Sequence, residues 1–168
     1  MKKVIYLCLM MLAAVTFSSC DKEEIGNTST VALAGEWMVT VDAINPDGSI
    51  LYEDPYELGT IMVLTYNTNA DNGTEMWVND LKTIWDFAVK IPCNVEGLSF
   101  GSQTMVENFR YECGVTLWDG KVTPNGTLSP SQMPVDAIEF KVTFDDDDNG
   151  LIHWVHGYRR TGLNFGEE

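Results

Sequence analysis

Large apolar residues alternate with polar ones along most of the chain. In Trp37-Met38-Val39-Thr40-Val41-Asp42, the side chains of Trp37, Val39 and Val41 share one face. Trp85, Phe87, Val89 and Ile91 do the same in the run Trp85-Asp86-Phe87-Ala88-Val89-Lys90-Ile91. Phe109, Tyr111, Cys113, Val115 and Leu117 line one face, with Arg110, Glu112 and Thr116 on the other. Ile138, Phe140, Val142 and Phe144 alternate with Glu139, Lys141 and Thr143. The last run, Ile152 to Tyr158, carries Trp154 and Tyr158 on one side and Val155 on the other. A period of two residues sends neighbouring side chains to opposite faces, so each run predicts a strand with one buried face. Met62 to Tyr66 and Leu98-Ser99-Phe100 predict shorter strands.

Turn chemistry separates the runs. Asn45-Pro46-Asp47-Gly48, Asp71-Asn72-Gly73, Asn94 to Gly97, Pro124-Asn125-Gly126 and Asp148-Asn149-Gly150 all carry hairpin signals. No long helical period, internal repeat or second linker interrupts them. The expectation is an all-β fold with a minor helix at most. About eight short antiparallel strands, each with one apolar face, must close as a sandwich or a barrel.

The N-terminus departs from this pattern. Lys2 and Lys3 precede an apolar stretch, Val4 to Val15, and then Phe17-Ser18-Ser19-Cys20. Small residues before a cysteine are what a lipoprotein signal peptidase cuts, and the cysteine thiol then takes the lipid. The apolar stretch is too short to span a bilayer comfortably. Residues 1–19 are therefore read as a lipoprotein signal peptide, Cys20 as the lipidation site, 20–31 as a flexible tether and 32–168 as the domain. Several acyl chains make a stable anchor where one does not. Cys20-Asp21-Lys22-Glu23-Glu24 resembles the surface-export signal of Bacteroidetes lipoproteins. That resemblance implies the cell-surface side of the outer membrane.

Charge narrows the partners. The full chain carries −15, and removing residues 1–19 takes away two lysines and no acid, leaving −17. So acidic a domain argues against nucleic acid and against docking on anionic lipid, which leaves membrane attachment to the lipid on Cys20. Processing removes Cys8 and acylates Cys20, so Cys93 and Cys113 remain. In an oxidising compartment they form either one disulfide or two buried free thiols.

Leu33-Ala34-Gly35-Glu36-Trp37 near the start and Gly157-Tyr158-Arg159-Arg160-Thr161-Gly162 near the end resemble the calycin superfamily, which includes the lipocalins. The resemblance implies a closed barrel in which Gly35 and Trp37 are structural. An arginine from the last strand, either Arg159 or Arg160, would pack over the Trp37 ring, a cation–π contact worth about 1 kcal/mol or more. Glu75-Met76-Trp77-Val78-Asn79-Asp80, Phe87 to Ile91 and Leu98-Ser99-Phe100, with the same C-terminal motif, resemble the Bacteroidetes family of lipid-binding putative hydrolases from about Leu33 to Leu163. That implies lipid binding and hydrolysis, and carries over no catalytic residue.

The candidate chemistry is thin. Gly97-Leu98-Ser99-Phe100-Gly101 fits Gly-x-Ser-x-Gly, with His153 and His156 following in triad order. In an all-β chain no helix follows to form the strained elbow, so a strand serine between turn glycines is the simpler reading. His153 and His156 fall on opposite faces of one strand and cannot converge on a metal, and with Cys93 and Cys113 they lack zinc-site spacing. Asp145-Asp146-Asp147-Asp148-Asn149-Gly150 matches the first half of a calcium loop, but its twelfth position is His156 instead of glutamate. An acidic hairpin tip is the better reading, and neither a metal nor a cofactor is expected.

The aromatics are more informative. Trp85, Phe87, Phe109, Tyr111 and Trp154 are the candidates to line a ligand site. An eight-stranded barrel either fills with side chains or holds one small ligand. The first functional expectation is non-enzymatic binding of a small apolar or amphipathic, lipid-like ligand in the barrel. The alternatives are a lipid or ester hydrolase using Ser99, and an accessory lipoprotein of an outer-membrane nutrient-uptake complex that binds a glycan or a partner through exposed aromatics.

Overall fold

The computed structural model describes residues 27–162. The expected signal peptide, Cys20 and the acidic stretch after it lie outside the described residues. The strands in chain order are β1 (Gly35–Ile44), β2 (Ile50–Tyr52), β3 (Ile61–Asn67), β4 (Glu75–Asn79), β5 (Ala88–Asn94), β6 (Ser99–Glu107), β7 (Gly114–Leu128), β8 (Pro134–Phe144) and β9 (Ile152–Arg159). From β3 onward each strand pairs antiparallel with the next, and β1 pairs with both β3 and β9. Eight strands thus close an antiparallel up-and-down barrel, and β2 is an extra strand on the end of β1. There is no helix among the described residues. All the pairing that closes the ring lies between residues 35 and 159, so a chain beginning at Asp21 carries the whole barrel.

The alternation places the core as expected. Trp37, Val39 and Val41 of β1, Val89 and Ile91 of β5, Val115 and Leu117 of β7, and Ile138, Phe140, Val142 and Phe144 of β8 are all buried. With Val63, Met76, Val78 and Val155 they form one cluster that fills the barrel along its axis. Each such side chain contributes about 1.5–3 kcal/mol by leaving water.

Three local expectations are corrected. Phe109 to Cys113 do not belong to a strand. Asn108 ends β6 by accepting the amides of Ala88 (3.0 Å) and Arg110 (3.1 Å), which turns the chain into a loop. Likewise β5 begins at Ala88 and not at Trp85, because Asp80 captures the amides that precede it. Pro124-Asn125-Gly126 is a bulge inside β7 and not a hairpin, with Asn125 at φ 50° and the register jumping between Thr123 and Thr127. The real turn lies at 129–133, where the Ser129 amide donates to the Met133 carbonyl at 2.9 Å.

One end of the barrel is sealed. The Arg159 guanidinium lies 4.3 Å from the Trp37 ring centroid, donates to the Ala34 carbonyl at 2.6 Å and pairs with Asp136 at 3.0 Å. Arg160 instead pairs with Glu36 in solvent. A Cβ on Gly35 would overlap the Arg159 guanidinium, which is why glycine precedes the tryptophan by two positions. The Trp37 indole N–H donates to Thr65 Oγ1 at 2.7 Å, and that hydroxyl donates to the Leu33 carbonyl at 2.6 Å. Before the floor, the Ser29 amide and hydroxyl both donate to Asp71, fastening residues 28–31 to the β3–β4 turn.

Candidate functional site

The opposite end, the mouth, is rimmed by loops at 45–60, 80–87, 108–113 and 145–151. Asp80 builds one of them. Its side chain has no exposed surface. Oδ1 accepts the amides of Lys82 (3.0 Å) and Phe87 (2.9 Å), and Oδ2 those of Ile84 (2.9 Å) and Trp85 (2.8 Å). These bonds hold Leu81, Lys82 and Asp86 at φ 55°, 70° and 48°, a region that residues with a Cβ avoid. The result is a fixed position for Trp85, half-buried at the mouth.

Trp85 stacks on Phe144, with centroids 4.9 Å apart and planes 7° from parallel. Phe87 tilts against Phe144 from below at 5.6 Å. His153, fully buried, meets Trp85 at 5.9 Å and Phe144 at 5.6 Å. Tyr56 caps this cluster from the loop after β2. Its ring stacks on His153 at 5.5 Å and its hydroxyl is 2.7 Å from Nε2. The loop is fastened by Asp54, which accepts the amides of Leu58 and Gly59 at 2.8 Å each, while Asp42 accepts the Asp54 amide at 3.0 Å.

Burial pushes the His153 imidazole below its ordinary value, with Asp147 opposing, so the ring is neutral at pH 7. A neutral ring accepts the Tyr56 hydroxyl proton at Nε2. Burial raises that hydroxyl, and Asp147 adds to the effect. The His153 Nδ1 is buried and meets no side-chain hydrogen-bond partner among the described residues, with the Val142 backbone beside the ring.

Asp146 ties the next loop to this cluster. Its carboxylate accepts the Trp85 indole N–H (2.8 Å), the Tyr111 hydroxyl (2.9 Å) and the Cys113 thiol (3.1 Å). The Cys113 contact is the leading cause that holds the Asp146 carboxyl below its usual range. Burial, and then Asp146, push the Cys113 thiol up to about 11, and burial foremost raises the Tyr111 hydroxyl too. Cys113, Asp145 and Asp146 could each bring one ligand atom within 4.8 Å of the others. The thiol there is protonated and spent on the carboxylate, which is hydrogen bonding rather than a metal cage. Both cysteines among the described residues, Cys93 and Cys113, are free thiols.

Two recesses flank the aromatic cluster. One of about 690 Å³ lies between Leu51, Tyr52, Pro55, Tyr56 and Leu151, with Glu53, Asp54 and Glu57 in its wall. The other, also about 690 Å³, lies among Met105, Val106, Tyr111 and Cys113, with Glu107, Glu112 and Asp145.

The mouth therefore gathers Trp85, Phe87, Tyr111 and His153. Other candidates lie elsewhere. Phe109 folds over the outer wall, 58% exposed, with its ring 4.8 Å from Trp77, which in turn stacks near Tyr66 at 6.4 Å. Trp154 also lies on the outer wall, stacked 3.8 Å from His156. His156 Nε2 is 3.0 Å from Asp42 and 3.3 Å from Thr40 Oγ1. Ser99 opens β6 at the floor end, paired with Asn94 and Lys121. Across the sheet its row runs through Lys121 and Glu139 to His156. Three strand spacings put roughly 14 Å between Ser99 and His156, far beyond a hydrogen bond. His153 is farther still, at the other end of the barrel. The carboxylates of the 145–151 tip turn to its own protein groups: Asp145 accepts the Gly114 amide and Asp147 those of Asn149 and Leu151.

Sequence reasoning missed Tyr56 altogether and the roles of Asp80 and Asp146. Asp80 stood in plain view in an Asn79-Asp80 pair at the end of an alternating run, a turn-forming signal. Tyr56 and Asp146 join the site through contacts across 97 and 61 residues, which no local pattern reports.

The family described as lipid-binding putative hydrolase matches residues 22–164 of the chain. No curated protein matches it. Among solved structures, a Bacteroides ovatus protein of unknown function is similar at 16% identity with a TM-score of 0.47. The similarity covers 79% of this chain and 43% of that one, so the chain spans less than half of that protein's length.

Proposed function

The chain belongs to the family of lipid-binding putative hydrolases, and from that premise we propose that it is a surface lipoprotein that holds an apolar or amphipathic ligand at the barrel mouth. The observation that carries this reading is the placement of Trp85. A large indole is held half-buried at the loop-rimmed end, stacked on Phe144, edged at 6.0 Å by Tyr56, which lines one recess, and joined through Asp146 to Tyr111, which lines the other. Side chains occupy the barrel axis, so the ligand's apolar part lies in the mouth and its recesses, and goes deeper only by displacing Tyr56. Aromatic walls with a few fixed polar groups are the usual make-up of a small-molecule site. In this reading the lipid on Cys20 anchors the domain to the outer membrane, and the acidic surface keeps it clear of its neighbours.

Native mass spectrometry of the chain from Asp21, purified from cells and then extracted with organic solvent, tests the reading. A bound lipid-like mass that leaves on extraction, and that Trp85→Ala fails to retain, is the expected result. A clean unliganded mass before extraction refutes tight binding.

A second reading draws on the strip Tyr66, Trp77 and Phe109. Tyr66 is 37% and Phe109 58% exposed on the outer wall. Such rings suit stacking on a sugar or a partner protein, as an accessory in a surface uptake complex would need. A glycan array on the same domain, with Phe109→Ala as control, decides it. Hydrolysis through Ser99 draws no support from its position at the floor.

A further inference from the structure

We propose that the ligand of the mouth carries a positively charged head group, an ammonium-headed amphipath and not a fatty acid. This deepens the mouth reading above and rests on it. The two recesses contribute Glu53, Asp54 and Glu57 on one side and Glu107, Glu112 and Asp145 on the other, and neither is lined by a lysine or an arginine. The basic side chains on the mouth loops, Lys82 and Arg110, both turn to Asp86, at 3.6 and 3.8 Å. They are thus engaged with a carboxylate and leave the recesses anionic. His153, the remaining group that could supply positive charge, is buried and neutral beneath Tyr56.

The same walls offer what a cation uses besides charge. Tyr52 is 57% and Tyr111 40% exposed, Tyr52 and Tyr56 line the same recess, and Tyr56 lies edge-on to Trp85 at 6.0 Å. An alkylammonium gains attraction from an aromatic face, and a carboxylate head gains none. Leu51, Pro55 and Leu151 in one recess, and Met105 and Val106 in the other, accept the methylenes that follow the head. Two features are therefore required at once: an apolar tail for the aromatic and aliphatic walls, and a positive head for carboxylates without partners of opposite charge. A carboxylate-headed lipid meets the first and violates the second. Near 4 Å a single like-charge contact costs about fivefold in affinity even at the dielectric of water.

The test uses three amphipaths with the same dodecyl tail, all below their micellar concentrations: dodecyltrimethylammonium, dodecanoate and the neutral dodecyl maltoside. Each is titrated calorimetrically into the chain from Asp21, with circular dichroism to verify that the barrel stays folded. Dodecyltrimethylammonium is expected to bind more than tenfold tighter than dodecanoate, and the gap is expected to shrink in high salt. Glu107→Gln with Glu112→Gln should weaken the cation several-fold. Glu96→Gln with Glu139→Gln, the same change of charge away from the mouth, should leave it within twofold. If both pairs weaken it alike, the preference belongs to the protein's overall charge and the inference falls. It falls too if dodecanoate binds as tightly as the cation while Trp85→Ala abolishes both; the mouth then still binds apolar tails. If none of the three amphipaths binds, the mouth reading itself fails.

Discussion

Asp80→Asn exchanges one oxygen for an amide nitrogen and changes almost nothing in volume. In the wild-type protein Oδ1 serves Lys82 and Phe87 and Oδ2 serves Ile84 and Trp85, with bond lengths between 2.8 and 3.0 Å. An asparagine oxygen can keep one pair. Its NH2 group then confronts the two N–H groups of the other, donor against donor. Hydrogen bonds to a charged group contribute about 1.5–3 kcal/mol each. Losing two gives roughly 3–6 kcal/mol, and rehydration of a surface loop recovers part, so about 3 kcal/mol is expected. For a domain of this size that lowers Tm by roughly 10 °C. The loop should loosen as well, because four of the bonds that hold Leu81, Lys82 and Asp86 in the left-handed region end on the Asp80 carboxylate, which leaves Asn79 and Asn108 with the rest. Thermal unfolding by circular dichroism reads the first effect. Tryptophan emission, compared with and without a Trp85→Phe substitution in each background, reads the second. Asp148→Asn, at an exposed tip, is the control. A Tm drop of only 2–3 °C in Asp80→Asn, together with unchanged Trp85 emission, would show that packing, and not the carboxylate, holds the loop in place.

The His153 ring is neutral in the folded protein because burial lowers its proton affinity, so it binds fewer protons folded than unfolded below its ordinary value of 6.5. The stability this confers is complete above that value and declines as pH falls from it toward the lower folded value. Urea midpoints between pH 7.5 and 5.5 should fall for the wild type, with His153→Gln flattening that part of the slope; a parallel slope in the variant would rule the group out. Arg159→Lys loses the stacked plane over Trp37 and the fork to Ala34 and Asp136, and should cost about 2 kcal/mol. Arg160→Lys, at an exposed pair, should cost nothing measurable, and equal Tm shifts would refute the assignment of the floor to Arg159. In the unfolded domain from Asp21 a thiol reagent should titrate both Cys93 and Cys113, and in the folded domain at pH 8 Cys113 should react slowly because its thiol is pushed up to about 11. Fast labelling of Cys113 in the folded state would contradict that. Ser99→Ala should leave any ester hydrolysis by the purified domain unchanged, since no histidine lies near it.

The barrel was legible because its signal is local and repeated. Period-two alternation in β1, β8 and β9 and the turn residues at 45–48, 71–73 and 148–150 each report on a few neighbouring positions, and burial of alternate side chains follows. The same rule misled at Phe109 and Tyr111. Their spacing continues the pattern of Val115 and Leu117, yet Asn108 caps the preceding strand and sends both rings outside the core. A periodic pattern tells which side chains could share a face, not where the ladder stops. Trp85 and Phe87 show the complementary case. They are one face of a run by spacing, and they do reach the same cluster, but through a loop shaped by Asp80 instead of through a strand.

That difference bears on what the two ends can do. At the floor, Trp37 is tied to Thr65 by a side-chain hydrogen bond and covered by an arginine that has three separate contacts. Opening it means breaking all of them together, with the start of β1 and the end of β9. At the mouth, the cap is Tyr56 alone, held by its hydroxyl on a buried neutral imidazole and by ring contacts with His153 and Trp85, and borne on a loop with Asp54 and Glu57 at φ 39° and 54°. Residues held there with a Cβ cost of order 1 kcal/mol each and persist only while neighbouring bonds enforce them. The enforcement comes from the Asp54 carboxylate, which accepts the Leu58 and Gly59 amides and itself lines the adjoining recess. On the proposed mouth reading, binding and release are cheapest at this end, because a ligand would replace one aromatic lid with its own apolar tail. The filled axis of the barrel then acts as the rigid frame against which that exchange takes place.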